Sequence, residues 1–247
     1  RVVFQRVFNT IKLYAKQRRL IRLVTNQIYE KEKNNRIMVA ILSQIVEFRN
    51  GESGLHVSHI NQLTNLLLER LVQKTKQYHF SRADRELIAT ASALHDIGKI
   101  GIPDRILNKP EKLTDEEYGI MKSHVTKGAE ILKSFTIVDH VEEGALYHHE
   151  RYDGKGYVHG LKGEEIPINA RIIGIADTFD AMTANRVYRK QLDMAYVIQE
   201  LKNGRGTQFD PGLVDVMLGL IDNGKIDICS LYKEHAHADH SREKEEE

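Results

Sequence analysis

Twelve histidines occur among the 247 residues of this chain, and several of them lie next to carboxylates. Glu52 and His56 are four residues apart in the segment ESGLH, so on a helix both side chains would reach one ion. A surface Glu–His pair is the alternative, and His59, one turn on, is expected to support the site or to lie at the surface. His95 and Asp96 are adjacent in ALHDIGK, after an apolar helix face. Adjacent side chains on a helix point about 100° apart, so we predict that this pair lies at a helix end or that the carboxylate bridges two ions. The pair is unusual after an apolar face, because a buried carboxylate is costly unless it is paired or bound to metal.

Three further segments carry imidazole or carboxylate groups that could join this site. His124 is predicted to close a short helix, although a single histidine is more often structural or exposed. The consecutive His148 and His149 precede a glycine-rich loop and are better evidence. Asp177 lies in RIIGIADTFDAM, a helix with apolar residues around most of its circumference, so its carboxylate needs a cation or strong donors. Asp180, one turn on, is predicted to orient a neighbour or to accept a hydrogen bond.

Together these residues offer more ligands than one ion requires. Imidazole and carboxylate groups without thiolates suit iron, manganese or zinc rather than calcium or a cysteine-type zinc site. Carboxylates that can bridge imply two or more ions about 4 Å apart, an arrangement used for in-line displacement at phosphorus. Lys99 would bring a cation to the same place.

The segment before the first candidate ligands predicts helix, because residues 2–49 contain neither glycine nor proline. Apolar residues recur there close to a seven-residue repeat, which the polar stretch KEKNNR interrupts. The pattern predicts one long helix, or two helices joined near residues 31–36. It is compatible with a coiled coil that forms a homodimer, and equally with an amphipathic helix packed on its own domain.

The rest of the chain is helical in pattern almost throughout, and T-x-x-E at Thr114 and Glu117 is typical of a capping box that opens a helix. Runs of Val, Ile and Thr at strand spacing are scarce, so we predict an all-α fold. We divide the chain into a signalling linker helix at 1–36, the domain that carries the candidate site at 37–232, and a tail at 233–247. The tail has almost no core-forming residues and is expected to fray.

Composition excludes several classes of protein. Hydrophobic residues make up 41% of the chain, enough for a sizeable core, and the net charge of +1 gives no reason to expect a long nucleic acid or a membrane as partner. No apolar run approaches the roughly 20 residues of a membrane span. Cys229 is the single cysteine, which excludes an intramolecular disulfide and indicates a reducing, cytoplasmic location. Because the chain starts at Arg1 in helical register and without methionine, we interpret it as the C-terminal part of a longer protein.

The motifs HDIGK at 95–99, HHERYDGKGY at 148–157 and ADTFDAMTANRVYRK at 176–190 resemble, in order and spacing, those of the HD-GYP subgroup of HD phosphohydrolases. The likeness runs from about residue 45 to about residue 223 and includes the subset with E-x-x-x-H in its first helix. It implies an HD-domain helical bundle and hydrolysis of cyclic di-GMP to linear pGpG, to GMP or to both. A hydroxide held between two ions would attack phosphorus, and the ribose 3′ oxygen would leave.

The resemblance also implies roles for individual residues. The metal ligands would be Glu52, His56, His95, Asp96, His124, His148, His149 and Asp177. They would hold two ions, or three where Glu52 takes part, with iron or manganese as the metal. Asp96 and Lys99 would act in catalysis, with Lys99 close to the scissile phosphate. The substrate would be held by Arg186, Arg189, Gly156 and Tyr157.

Two features at the edges of this likeness carry further expectations. Val158 stands where the family signature has proline, and because proline fixes backbone φ, we expect a less rigid loop. At this position the resemblance no longer supports a contact of the loop with GGDEF cyclase domains. The first twenty residues are similar to the last helix of a receiver domain, which implies an upstream receiver in a two-component system.

Three alternatives to a cyclic di-GMP phosphodiesterase remain at this point. One is an HD phosphohydrolase for another nucleotide, against which the GYV loop and the RVYRK segment argue. Another is a catalytically weak or inert module that senses a cyclic dinucleotide or binds partners, against which the complete ligand set argues. The third is a helical structural protein with scattered histidines.

Overall fold

The computed structural model describes residues 2–50, 55–74, 78–133, 141–184 and 191–226. Its α-helices are α1 (Val2–Arg49), α2 (His56–Lys74), α3 (Arg82–Leu94), α4 (Asp104–Leu107), α5 (Asp115–Lys122), α6 (His124–Lys133), α7 (Val141–Tyr147), α8 (Ile168–Thr183), α9 (Met194–Gly204) and α10 (Pro211–Asp222). Short 3₁₀ helices occur at Ile97–Gly101 and Gly163–Glu165. These described residues form no β-strand, so the predicted all-α class is confirmed. None of their helices is both long enough and apolar enough to cross a membrane.

Helix α1 is one continuous helix of 48 residues, so the first of the two predicted arrangements is the observed one. The chain forms two compact units, Arg1–Ile41 and Leu42–Glu247. In the first unit, the side chains of Tyr14, Ile21 and Val24 are exposed. The near-heptad pattern therefore lies on the surface of this helix. The predicted tail at 233–247 lies outside the described residues.

Helix α8 packs against α2, α3, α7, α9 and α10 and lies at the centre of the second unit. Its residues Ile172, Ile175 and Phe179 are buried in a cluster with apolar side chains of α2 and α10. Burial of each such side chain contributes about 1.5–3 kcal/mol. The prediction that this helix is buried is confirmed, and Asp177 and Asp180 are therefore carboxylates on a core helix.

Local capping signals determine where several helices begin. Thr114 and Glu117 form the predicted capping box before α5, in which each side chain accepts a hydrogen bond from the backbone N–H of the other. Asp193 and Asp210 cap α9 and α10 through side-chain oxygens that accept from backbone amides of the first turn. Caps of this kind stabilise a helix by about 1 kcal/mol each.

The 3₁₀ helix after α3 packs closely against α6 because residue 98 is glycine. A Cβ atom on Gly98 would lie 1.9 Å from the backbone oxygen of His124 and 2.4 Å from the backbone nitrogen of Gly128. Backbone atoms cannot move aside as a flexible side chain can, so no larger residue fits. Gly98 thereby allows the chain around Asp96 to approach the start of α6.

Arg49, the last residue of α1, is hydrogen-bonded to the backbone of the same 3₁₀ helix and of the residue after it. Its guanidinium donates hydrogen bonds to the carbonyl oxygens of Lys99 at 3.0 Å and Ile102 at 2.6 Å. It also donates to the Asp104 carboxylate at 2.8 Å. These bonds hold the backbone from which the Lys99 side chain projects.

Candidate metal centre

The predicted ligands converge where α2 and α6 begin and where α3 and α7 end, beside the middle of α8. The described members are His56, His95, Asp96, His124, His148, His149 and Asp177. The sequence predicts that His124 closes a helix, but α5 ends at Lys122 and His124 begins α6. Glu52 lies outside the described residues, so its place in the site stays a prediction.

Three overlapping groups of these side chains could each hold an ion, because the ligand atoms within a group lie within 4.8 Å of one another. The groups are His56, His95 and Asp177; His95, Asp96 and His148; and His124, His148 and His149. The middle group shares one histidine with each of the other two. The three groups therefore form one continuous cluster, in which Asp96 lies 3.3 Å from His95 of the first group and 3.2 Å from His124 of the third.

Helix ends set the orientation of three of the imidazole rings. In His95, His124 and His148 the Nδ1 atom lies 2.7, 2.8 and 2.9 Å from the backbone carbonyl oxygen three residues earlier. A carbonyl oxygen only accepts, so Nδ1 carries the proton and donates. In the neutral ring this leaves the lone pair on Nε2, the atom that faces the site. Such outer hydrogen bonds fix the tautomer and orientation of ligating histidines.

A buried carboxylate orients the fourth ring. The Asp180 carboxylate accepts from Nδ1 of His56 at 2.6 Å and from Nδ1 of His59 at 3.0 Å. His56 is thereby turned so that its Nε2 lies 3.5 Å from Oδ1 of Asp177. Burial alone would raise the pKa of Asp180, but hydrogen bonds from the two histidines outweigh it and hold the pKa at about 2. The structure thus shows Asp180 accepting hydrogen bonds, one of the two predicted roles, and places His59 in the interior rather than at the surface.

Asp96 connects the two halves of the site. Its Oδ1 lies 3.2 Å from Nε2 of His124, and its Oδ2 lies 3.3 Å from Nε2 of His95 and 2.7 Å from Nζ of Lys99. Burial opposes ionisation, but Lys99 and His95 prevail and hold the pKa of Asp96 well below its ordinary value. For His95, burial lowers the pKa and Asp96 raises it, and the net shift is upward. Asp96 is therefore an ionised carboxylate at neutral pH.

The donor set fits divalent metal ions. Burial lowers the pKa of His148 well below its ordinary value and that of His149 to about 4, so both rings are neutral at neutral pH. Metal ligation requires neutral imidazole and ionised carboxylate. Moreover, His95 Nε2 and Asp96 Oδ1 are buried, and their contacts at 3.3 and 3.2 Å lack hydrogen-bond geometry. A cation would use the electron pairs that these atoms leave unused.

A cavity of about 250 Å³ adjoins the histidines, and the predicted substrate-binding residues Gly156 and Tyr157 line it. The Tyr157 ring lies over His149, with ring centroids 5.0 Å apart, and burial raises the pKa of Tyr157. A Cβ atom on Gly156 would lie 2.6 Å from the backbone oxygen of His149, which explains the glycine. Arg186 and Arg189 lie outside the described residues.

Sequence reasoning missed three residues that line the same cavity, namely Arg171, Gln208 and Asp210. Arg171 Nη1 lies 2.5 Å from the Asp210 carboxylate, and both side chains are largely buried. A cation at the start of an apolar helix is as costly to bury as Asp177, so the segment RIIGIAD did contain a signal for it. The other two residues carried no signal, because their position depends on contacts distant in sequence.

Glu47 is a further buried residue that the sequence did not indicate. Its Oε1 accepts a hydrogen bond at 2.6 Å from the backbone N–H of Val57, at the start of α2. Because His56 precedes Val57, this contact helps to set where the first ligand stands. A carboxylate on an otherwise ordinary amphipathic helix gives no hint of such a role.

Known proteins resemble this chain in sequence. The model of a family described as HD domain matches residues 53–213. The cyclic di-GMP phosphodiesterase response regulator RpfG of Xanthomonas campestris is 38% identical over 196 residues, which cover 78% of this chain and 49% of that protein. The 3′3′-cGAMP-specific phosphodiesterase 2 of Vibrio cholerae is 38% identical over 195 residues, which cover 78% and 36%. A cyclic di-GMP phosphodiesterase of Thermotoga maritima is 40% identical over 185 residues, which cover 74% and 48%. The chain thus spans half the length or less of these relatives.

Solved structures share the arrangement of helices. A cyclic GMP-AMP specific phosphodiesterase of V. cholerae superposes with a TM-score of 0.59 at 18% identity, covering 78% of this chain and 50% of the other. An HDG"Y"P protein of Bdellovibrio bacteriovorus gives a TM-score of 0.54 at 17% identity, covering 68% and 51%. At such identities the likeness concerns the fold, which is the helical bundle that the sequence predicts.

Proposed function

The chain belongs to the HD domain family, and we propose that it is a metal-dependent phosphodiesterase that hydrolyses cyclic di-GMP to linear pGpG, to GMP or to both. The observation that carries the proposal is the set of three overlapping ligand groups, which share His95 and His148 and meet at Asp96. Two adjacent ions suit in-line displacement at phosphorus. The names of the relatives from Xanthomonas and Thermotoga support cyclic di-GMP as the substrate.

We infer that the site holds two ions, or three if Glu52 contributes, and that the metal is iron or manganese. Imidazole nitrogens and carboxylate oxygens without thiolates support this choice of metal. When bound, the ions would lower the pKa of a water molecule and polarise the phosphoryl oxygens. The ligands proposed for them are His56, His95, Asp96, His124, His148, His149 and Asp177.

The charged residues of the site would act on the phosphodiester directly. Lys99 Nζ lies 2.7 Å from Asp96, so its cation stands beside the ligand atoms, where a phosphoryl oxygen gains negative charge. Asp96 remains ionised there and orients the Lys99 side chain. We assign Arg186 and Arg189 to the substrate phosphates, since guanidinium groups pair with phosphate through two parallel hydrogen bonds. Tyr157 and Gly156 would form one wall of the substrate cavity.

The proposal extends to assembly and context. Exposed apolar side chains along residues 13–28 of α1 support a homodimer formed through this helix. The Xanthomonas relative is named a response regulator, which supports an upstream receiver domain and a two-component system. The single cysteine supports a cytoplasmic location. If sedimentation gave the same mass with and without residues 1–30, the proposed dimer helix would be wrong.

Metal analysis combined with product chromatography tests the proposed activity. Protein purified without oxygen should carry at least two iron or manganese ions per chain and should convert cyclic di-GMP to pGpG or GMP. Asp96→Ala should reduce turnover by more than the roughly 10–100-fold that loss of an outer partner costs. The surface variant Asp222→Ala should match the unchanged protein. Near-normal turnover by Asp96→Ala with its metals bound would refute the assigned centre.

A further inference from the structure

We propose that the cavity beside His148 and His149 binds a guanine base of the substrate and that Arg171 recognises this base. The inference rests on the proposed function, because it specifies which base a cyclic dinucleotide must carry to be hydrolysed. It assigns a specificity-determining role to residues outside the ligand set. Arg171 is separated from Asp177 by more than one turn of α8 and contributes no ligand atom to the metal groups.

The cavity has the size and the mixed surface that a flat aromatic ring requires. Its volume is about 250 Å³, and it borders both the ligand histidines and the N-terminal ends of α8 and α10. Ile166, Ile175 and Phe209 provide apolar walls. Polar and charged groups also line the cavity, namely Glu150, Arg151, Lys155, Arg171, Gln208 and Asp210. Small-molecule sites are typically apolar with a few polar groups that fix orientation.

Arg171 is held rigidly and still has donors to offer. Its side chain is 8% exposed, and its Nη1 donates to the Asp210 carboxylate at 2.5 Å. Asp210 is itself fixed, because its other oxygen caps α10 by accepting from the Gly212 amide at 2.7 Å. The Arg171 Nε is buried and has no hydrogen-bond partner among the described residues. A guanidinium has five N–H donors, and within the described parts of the chain Asp210 is its acidic partner, so the group can accommodate a ligand that brings acceptors.

Guanine supplies the matching pattern. Its N7 and O6 atoms are two neighbouring acceptors, which an arginine fork contacts together, whereas adenine presents N7 beside an amino donor. Arginine has donors only, so the adenine amino group would face another donor. A phosphodiester also offers acceptors, but Asp210 already neutralises the Arg171 cation, so this group has no net charge with which to attract an anion. The geometry therefore favours a base at Arg171, with the phosphates nearer the metal ligands.

The walls of this pocket are joined to the loop beside the histidines. The backbone N–H groups of Tyr152 and Asp153 donate to the carbonyl oxygens of Gln208 at 3.2 Å and Thr207 at 2.8 Å. The segment that carries Gln208 and Asp210 is thus hydrogen-bonded to the loop that carries Tyr157. A base in the pocket would accordingly be held at a constant distance from the ligand histidines, as substrate positioning requires.

A guanine pocket predicts which cyclic dinucleotides the protein hydrolyses. Cyclic di-GMP and 3′3′-cGAMP each contain a guanine that can enter the pocket, whereas cyclic di-AMP contains none. Metal-loaded protein should therefore have a kcat/KM for cyclic di-AMP that is roughly 5–150-fold lower than for cyclic di-GMP, the discrimination expected of one bidentate arginine–guanine contact. 3′3′-cGAMP should be hydrolysed as well.

Arg171→Lys is the decisive variant. Lysine keeps a cation for the buried Asp210 carboxylate but lacks the fork, whereas alanine would leave that carboxylate without a partner and endanger folding. The preference for cyclic di-GMP over cyclic di-AMP should shrink towards unity in this variant. Arg205→Lys is the matched control, because Arg205 forms a comparable ion pair with Asp215 at 2.9 Å, is half exposed and does not line the cavity. Its preference should equal that of the unchanged protein.

A binding measurement tests the pocket independently of turnover. GMP should raise the melting temperature of the metal-loaded protein at lower concentrations than AMP does, and Arg171→Lys should remove this difference. Equal shifts by GMP and AMP in the unchanged protein, or an undiminished guanine preference in Arg171→Lys, would overturn the inference. Protein that binds GMP selectively but hydrolyses no cyclic dinucleotide would instead refute the proposed function and leave the guanine pocket standing.

Discussion

Asp180→Asn isolates the contribution of the carboxylate that holds His56. In the structure this carboxylate is buried, with Oδ2 at 2.6 Å from Nδ1 of His56 and Oδ1 at 3.0 Å from Nδ1 of His59. Both contacts need an acceptor, and an amide side chain has only one acceptor oxygen. The substitution keeps the size of the side chain. However, one of the two rings must lose its acceptor or move its proton to Nε2, the atom that His56 turns towards Asp177.

The expected effect is a lower affinity for the metal ion that His56 would bind. Loss of the outer partner of a ligating histidine costs about 10–100-fold in metal affinity, which corresponds to about 1.4–2.7 kcal/mol. His59→Leu should have a smaller effect, because it removes only the hydrogen bond from His59 to the carboxylate and leaves the contact to His56. A net hydrogen bond is worth about 1 kcal/mol, so roughly a fivefold loss is expected.

Titration of metal-free protein with Mn²⁺ in competition with a chelating dye measures this affinity without reference to turnover. Asp215→Asn is the matched control, since it makes the same chemical change on α10, where the carboxylate pairs with Arg205. Thermal unfolding of the metal-free variants separates weaker ligation from a damaged fold. Wild-type affinity in Asp180→Asn would refute the orienting role, and so would a loss of affinity fully explained by unfolding of the metal-free protein.

Two further predictions concern the stability of the fold. Gly98→Ala should lower the free energy of unfolding by about 1–3 kcal/mol or more, because the new Cβ would meet the backbone oxygen of His124 at 1.9 Å. Gly119→Ala is the control, because nothing lies within 4 Å of the new Cβ, and it should stabilise α5 by about 0.5–1 kcal/mol. Equal denaturation midpoints of the two variants would contradict this reasoning. Asp153→Asn should destabilise at neutral pH, because a hydrogen bond from Arg151 lowers the pKa of the carboxyl to about 2 from its ordinary 3.8. A carboxyl with a lowered folded-state pKa stabilises above the unfolded value and loses that contribution as the pH falls towards the folded one. Denaturant unfolding at several pH values should therefore show the gap between variant and parent narrowing below about pH 4, and a constant gap would contradict the ion pair.

Local sequence patterns were sufficient to predict the helices and to single out the individual candidate ligands. The capping box at Thr114 and the apolar circumference of α8 are properties of short segments, and the structure has both. Adjacent ligands such as His95 and Asp96 are also local, and their convergence with the other histidines followed from the likeness to HD-GYP proteins. That family assignment is confirmed. The ligand roles of individual residues stay predictions that the geometry supports.

Contacts between segments that are distant in the sequence could not be predicted from one sequence. Arg171 and Asp210 are 39 positions apart, and neither segment reveals that the other supplies its partner. The carboxylate of Asp180 likewise accepts hydrogen bonds from two histidines that are more than a hundred positions away. Even the local prediction for His124 placed it on the wrong side of a helix boundary, because one residue, Ser123, separates α5 from α6.

A physical reason explains why residues that are adjacent in the sequence can both serve as ligands of one centre. Neighbouring side chains within an α-helix point about 100° apart, so two adjacent residues can face one centre more easily just beyond a helix end. The last carbonyl groups of a helix have no partner within the helix. His95 follows the end of α3 and His148 follows the end of α7, and each donates its Nδ1 proton to one of these carbonyl oxygens. The hydrogen bond therefore gives one of these carbonyl groups a partner, selects the tautomer and aims Nε2 at the centre. The next residue, Asp96 or His149, lies beyond the helix and also faces the centre. Orientation of this kind depends on backbone and not on bound metal, so the rings should be held in place before any ion arrives.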